Sequence, residues 1–165
     1  MKTIFSKDLT SKKIFVTRAF AGPLALPWKA WTDKDVLDKW WAPKPWKAET
    51  KKMDFKEGGH WLYAMVGPAG EKHWAIAEYK KIVPLKMFIG LDSFCDENGN
   101  KMPQPPGMDW KVEFEKTSTG TKVSVEITFA SEKDLQTIVE LGFQEGFSMA
   151  HDNLDELFAK AEHKI

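Results

Sequence analysis

The chain has 165 residues, enough for one ordinary domain that buries roughly 70% of the surface its unfolded form exposes. Its 24 basic and 24 acidic side chains cancel, which excludes an affinity built on neutralising phosphates or anionic lipid. A single cysteine, Cys95, excludes a disulfide framework and any CxxC-type zinc or redox site. The unusual quantity is aromatic: 11 Phe, 8 Trp and 2 Tyr, or 13% of the chain. Tryptophans outnumber tyrosines four to one, so this aromatic surface is bulky and carries few hydroxyl handles. The opening stretch MKTIFSKDLTSKK has no apolar core of seven or more residues, unlike a secretory signal. No run of 18 apolar residues occurs, so no membrane span is expected and a cytoplasmic location is.

Lys13 to Phe20 alternates in polarity with period two and predicts a first strand, ended by Gly22-Pro23. Leu24, Trp28 and Trp31 fall at helical spacing, and Pro27 is tolerated only in a first turn. A short helix therefore begins near Leu24 or Ala25. Thr32 with Asp35 reads as a capping box for a second short helix whose apolar stripe is Val36, Leu37, Trp40 and Trp41. Pro43 and Pro45 stop it. Trp46 to Phe55 is extended, and Gly58-Gly59 marks a turn or bulge. His60–Val66 and Lys72–Val83 flank the turn Gly67 to Gly70, and Lys86–Phe94 follows as a further strand. Asp96 to Gly107 is the longest loop. Trp110, Val112 and Phe114 alternate with charged residues, as do Val123, Val125, Ile127 and Phe129. Ser131 with Asp134 opens one long amphipathic helix reaching about Ala161, roughly 45 Å at 1.5 Å per residue. The order predicts a single α+β domain, its curved antiparallel sheet of about six or seven strands packed around the long helix.

Few side chains suggest chemistry. His60 and His73 lie on neighbouring strands, while His151 and His163 are twelve apart on the last helix. None belongs to a metal-binding motif, and no metal or other cofactor is expected. Cys95 reads as a small buried hydrophobe beside Phe94. The pairs Lys12-Lys13, Lys51-Lys52 and Lys80-Lys81 suit solvated strand faces better than nucleic acid, because arginine occurs once. That residue, Arg18, shares strand parity with Ile14, Val16 and Phe20, so it turns inward either to a structural carboxylate or to a ligand's anionic group. Gly142 and Gly146 lie four apart on the long helix, at about 1 kcal/mol each relative to alanine. Either the sheet approaches closely there, or space is left that Trp61, Trp74, Trp110, Phe88, Phe114, Phe143 and Phe147 ring.

Four blocks carry a family resemblance. Pro23 followed by Trp28-Lys-Ala-Trp-Thr-Asp33 and Trp40-Trp41-Ala-Pro43 resembles the opening motif of the activator of heat-shock-protein-90 ATPase homologue-like (AHSA-like) family. That family is part of the START-like, birch-pollen-allergen-like (SRPBCC) helix-grip superfamily. Met53-Asp54-Phe-Lys-Glu-Gly58-Gly59, with Met65 and Gly70, is similar to the second block. Tyr79-Lys-Lys-Ile82-Val-Pro84 is similar to the third, and Gly146-Phe147 with Leu154 and Leu157 to the last. The resemblance runs from about residue 13 to 160 and departs at Pro27 and at the proline-rich loop Lys101 to Gly107. It implies an apolar cavity between sheet and C-terminal helix. Superfamily relatives carry lipids, hormones or polyketides there, and some catalyse cyclisation or dehydration.

Three functions follow. The first is non-enzymatic binding of a small apolar or lipid-like molecule, with Trp61, Met65, Trp74, Phe88, Trp110, Phe114, Phe143, Gly146 and Phe147 lining the cavity. The second, implied by the resemblance, is a chaperone regulator acting through an exposed patch at Trp40, Trp41 and Trp46. The third is an enzyme on the same scaffold, for which Glu78, Asp92 and His73 are the candidate titratable groups.

Overall fold

The computed structural model describes residues 3–103 and 107–162. Its elements are β1 (Ile4–Asp8), β2 (Lys13–Phe20), α1 (Ala25–Thr32), α2 (Lys34–Trp40), β3 (Lys47–Met53) and β4 (His60–Val66). They continue with β5 (Lys72–Val83), β6 (Met87–Cys95), β7 (Met108–Thr117), β8 (Gly120–Thr128), α3 (Glu132–Glu140) and α4 (Phe143–Glu162). The strands form one antiparallel sheet in the order β1-β2-β8-β7-β6-β5-β4-β3, which curves around α4 in the helix-grip manner. The expected α+β class therefore holds, with eight strands instead of six or seven. The extra one is β1, whose residues are nearly all exposed, so it carries almost no alternating apolar signal.

Period-two alternation decides which side chains face the helix. On β7, Met108, Trp110, Val112 and Phe114 are buried, and on β8 Thr121, Val123, Val125 and Ile127. The register sets Trp110 against Ile127 and Val112 against Val125, so one apolar face is continuous across the strands. α4 covers it with Phe147, Ala150, Leu154 and Phe158. The prolines and the loop 96–107 fall outside the strands, as expected, although residues 104–106 lie outside the described residues.

Two expectations about helices are corrected. Thr32 does not cap α2; Asp33 does, its Oδ1 accepting from the amides of Asp35 at 2.9 Å and Val36 at 3.4 Å. Thr32 instead donates to the Trp28 carbonyl at 2.8 Å. Nor is the C-terminal helix continuous. Ser131 does cap α3, accepting from the Asp134 amide at 3.1 Å, but α3 ends at Glu140. Gly142 then takes φ +91°, a left-handed conformation that glycine adopts without a Cβ clash, and its amide closes on the Val139 carbonyl. α4 restarts at once, so the covering helix is 20 residues long, about 30 Å.

α4 is tied down by buried polar contacts. Arg18, 3% exposed, is paired with Asp155 and with Asp152 at 3.0 Å, and donates to Thr3 at 2.8 Å. Its inward parity is thus structural, and the residue lines neither chamber of the cavity described below. Asn153 donates to the carbonyls of Trp40 at 3.4 Å and Ala42 at 3.1 Å, which fastens the end of α2 to α4.

A candidate cavity lined by aromatic rings

Small residues occur at inward positions of the sheet where large ones are expected: Ala75 and Ala77 on β5 and Gly90 on β6. Gly146 does the same on α4; a Cβ there would meet nothing nearer than Pro43 Cγ at 3.8 Å. The space this leaves forms two adjoining chambers. The larger, about 250 Å³, lies between β4–β7 and the α3–α4 junction. It is lined by Trp41, Pro43, Tyr63, Met65, His73, Ala75, Asp92, Phe94, Met108, Trp110, Ile138, Leu141, Gly142, Phe143, Gly146 and Phe147. The smaller, about 40 Å³, lies beneath the two short helices and is lined by Trp31, Leu37, Trp61, Ala77, Tyr79, Phe88 and Gly90, with Trp41, Asp92 and Trp110 again. One water needs roughly 10–15 Å³, so the larger chamber has room for an organic molecule. Leu141, 62% exposed, and the exposed His73 mark where it reaches solvent.

The indole of Trp41 is held by edge-to-face contacts with Trp31 at 5.3 Å, Trp61 at 5.5 Å and Phe147 at 6.0 Å between centroids, and by a tilted one with Trp110 at 5.9 Å. Three indole N–H groups have partners: Trp40 to the Ala30 carbonyl at 2.9 Å, Trp41 to the Tyr63 hydroxyl at 3.0 Å, and Trp61 to Thr50 at 3.0 Å. Those of Trp31 and Trp110 are buried without one among the described residues.

Asp92 is the acid of the cavity. Its strand parity turns it inward between Gly90 and Phe94, opposite Ala77 on β5 and Met108 on β7. The side chain is half-buried; lost hydration raises its carboxyl to about 7, and among the described residues no hydrogen bond pulls it back down. Its charge in turn reaches its neighbours. Burial first and Asp92 second hold the Tyr63 and Tyr79 hydroxyls well above their ordinary range, with the Trp41 N–H opposing this at Tyr63. Burial, Asp96 and Asp92 together push the Cys95 thiol up to about 11.

Of the expected lining, Met65, Trp110, Phe143, Gly146 and Phe147 meet at the larger chamber, and Trp61, Phe88 and Trp110 at the smaller. Two residues do not line either. Phe114 is packed in the solid core against Trp28 at 5.1 Å. Trp74 lies on the reverse face of the sheet with Leu62, Ile76 and Cys95, because His73, Ala75 and Ala77 take the inward parity of β5. Among the candidate titratable groups, Asp92 and His73 reach the cavity. Glu78 faces the other way and pairs with Lys101. The exposed patch is not formed either: Trp40 is fully buried, Trp41 lines the cavity, and Trp46 is half-buried against His73 at 5.4 Å. Tyr63, Phe94 and Met108 are lining residues that simple parity with Trp61, Asp92 and Trp110 would have found. Leu141 needed knowledge of the helix break.

His60 and His73 stand at opposite ends of the β4–β5 ladder, and His151 is buried against Phe147 at 4.3 Å. His163 lies outside the described residues. Among the described residues no cluster of three metal-ligating side chains occurs, and no helix is long and apolar enough to cross a membrane.

A family model described as "Activator of Hsp90 ATPase homolog 1-like protein" matches residues 22–159. Among solved structures, protein Ms6760 from Mycobacterium smegmatis is 30% identical, covers 95% of this chain and 96% of its own, and superposes with a TM-score of 0.87. A protein from Arthrobacter aurescens is 26% identical over 95% of this chain and 91% of its own, with a TM-score of 0.89. One from Staphylococcus epidermidis is 25% identical over 95% and 94%, with a TM-score of 0.83. No curated protein matches the chain.

Proposed function

From a chain that belongs to the activator of Hsp90 ATPase homolog 1-like family, we propose a non-enzymatic module that binds a small, largely apolar molecule between the sheet and the α3–α4 junction. The observation that carries this reading is the larger chamber, about 250 Å³ and lined mainly by aromatic and aliphatic side chains. Burying a ligand's apolar surface there is worth roughly 25 cal/mol per Å² before the entropic cost of association. Gly146 supports it too: a glycine inside a helix is tolerated at a cost of about 1 kcal/mol, and here the missing side chain widens the cavity.

Native mass spectrometry of the gently purified chain, with a thermal-shift panel of apolar molecules, tests the proposal. A retained small molecule, or stabilisation by members of the panel, is the expected result. Gly146→Leu, which fills the chamber from α4, should abolish either signal. No bound species and no shift across a broad panel would count against binding.

The family description names a chaperone ATPase activator, and a regulator acting by protein contact is the alternative that rests on it. Trp40, the centre of the surface first assigned to that role, is inside the core. Adding the chain to a chaperone ATPase of the same cell separates the readings: faster turnover supports regulation, and an unchanged rate removes it. A catalytic role remains the third reading and would assign Asp92 a proton-transfer step. Turnover of any retained molecule, followed by mass, tests that step.

A further inference from the structure

The ligand's polar group can be read from the charges of the cavity, given the binding role proposed above. Among the described residues, neither chamber is lined by lysine or arginine, and Asp92 is the one carboxylate that lines both. It shares the larger chamber with the rings of Trp41, Tyr63, Trp110 and Phe147, and an aromatic face carries the negative lobe of the ring quadrupole. A half-buried carboxylate, with no ion pair among the described residues and set in a mainly apolar lining, is a site of negative potential with reduced hydration. An acidic ligand would meet like charge there. A neutral one would gain at most a hydrogen bond with the acid. Only a cation gains from both the carboxylate and the rings.

We propose that the cavity takes an organic cation: a protonated amine on an apolar, ring-sized body, with the ammonium at Asp92 and the body toward Phe143, Gly146 and Phe147. Its apolar part would account for the greasy lining and its charge for the lone acid. Burial holds the empty-site carboxyl near 7, so Asp92 is largely protonated in mild acid and must ionise to receive the cation. Other titratable groups near it are Tyr63 and Tyr79, both held neutral by burial, and His73 at the mouth, with Cys95 on the reverse face of the same strand.

Calorimetry on the intact chain with four matched probes tests the inference: 1-naphthylmethylamine, 1-naphthalenemethanol, 1-methylnaphthalene and 1-naphthoic acid. The amine should bind at least about tenfold more tightly than the alcohol, and the acid weakest. In Asp92→Asn, which keeps the side chain's shape, the preference for amine over alcohol should collapse to near parity. Independently of any variant, titration in buffers of different ionisation enthalpy should show release of about one proton per amine bound at pH 6, fading toward pH 8.5. Equal or tighter binding of the alcohol, the hydrocarbon or the acid overturns the cationic ligand while leaving apolar binding in place. So does amine binding without proton release at pH 6. Failure of all four probes to bind overturns this inference, while the binding role is decided separately by the native mass spectrum and the broad panel.

Discussion

The indole N–H of Trp41 donates to the hydroxyl of Tyr63 at 3.0 Å, joining the residue that closes α2 to strand β4 at the wall of the larger chamber. Trp41 belongs to both chambers and Tyr63 to the larger, so this bond ties the short helices to the sheet where the chambers meet. Tyr63→Phe removes the acceptor and leaves the indole N–H unpaired. A buried donor left alone costs about 1–3 kcal/mol, and water in the adjoining chamber can replace part of that. The expected loss is about 1 kcal/mol, read as a lower urea midpoint with an unchanged m-value.

Gly142 and Gly146 should respond to alanine with opposite signs. Gly142 holds φ +91°, where a Cβ is strained, so Gly142→Ala is expected to cost about 1–2 kcal/mol. Gly146 is helical with free space around it, so Gly146→Ala should gain up to about 1 kcal/mol. Urea midpoints of the two variants check the pair. A gain at Gly142 would remove the helix break as the reason for that glycine.

Asp92 and His151 are expected to oppose each other across mild acid. The Asp92 carboxyl lies at about 7 in the fold against an ordinary 3.8, so ionising it carries a penalty that grows as pH rises from about 4 to 7. Burial, and Arg18 after it, lower His151 from 6.5 to about 3. The neutral ring's contribution is therefore complete above about pH 6.5 and lost as pH falls toward 3. Each group acts at about 1.4 kcal/mol per pH decade, so in the native chain the slopes largely cancel between pH 4.5 and 6.5. Asp92→Asn should expose a Tm that climbs with pH over that interval. His151→Gln should expose one that falls. Parallel Tm profiles in all three proteins would remove both assignments.

Arg18 is buried, whereas Asp152 is 65% exposed and Asp155 35% exposed. Removing both carboxylates strands a guanidinium inside the fold, while removing the arginine returns two carboxylates to water. The double variant Asp152→Asn/Asp155→Asn should therefore cost about 3–5 kcal/mol, and Arg18→Met distinctly less. Chemical denaturation of the two variants reads the difference, and the reverse ranking would show that packing of the arginine stem dominates.

Legibility in the sequence follows the strength of local alternation. β7 and β8 could be placed because each turns large apolar residues to one face and charges to the other. β1 could not, since only Phe5 of its five residues is shielded. Strand β5 shows the same limit at the site: tryptophan at 74 and alanines at 75 and 77 suggest the wrong inward face by size alone. What makes the cavity is a shortage of bulk at Ala75, Ala77, Gly90 and Gly146, and a search for large aromatics passes over it. Gly142 was visible as an oddity, but periodicity cannot distinguish a tolerated helical glycine from one that ends a helix. Asp92 was legible only as a titratable residue on a strand; its isolation among rings depends on three neighbouring strands.

The break at Gly142 also separates two duties that one continuous helix would have to share. Residues 150–158 hold the scaffold through Asn153, Leu154, Asp155 and Phe158. Residues 138–143 shape the opening through Ile138, Leu141 and Phe143. A change of angle or bulk at the break can therefore retune the entrance without disturbing the contacts made by residues 150–158. Fastening and entrance are thus carried by separate turns of the chain, the first centred on Leu154 and the second on Gly142.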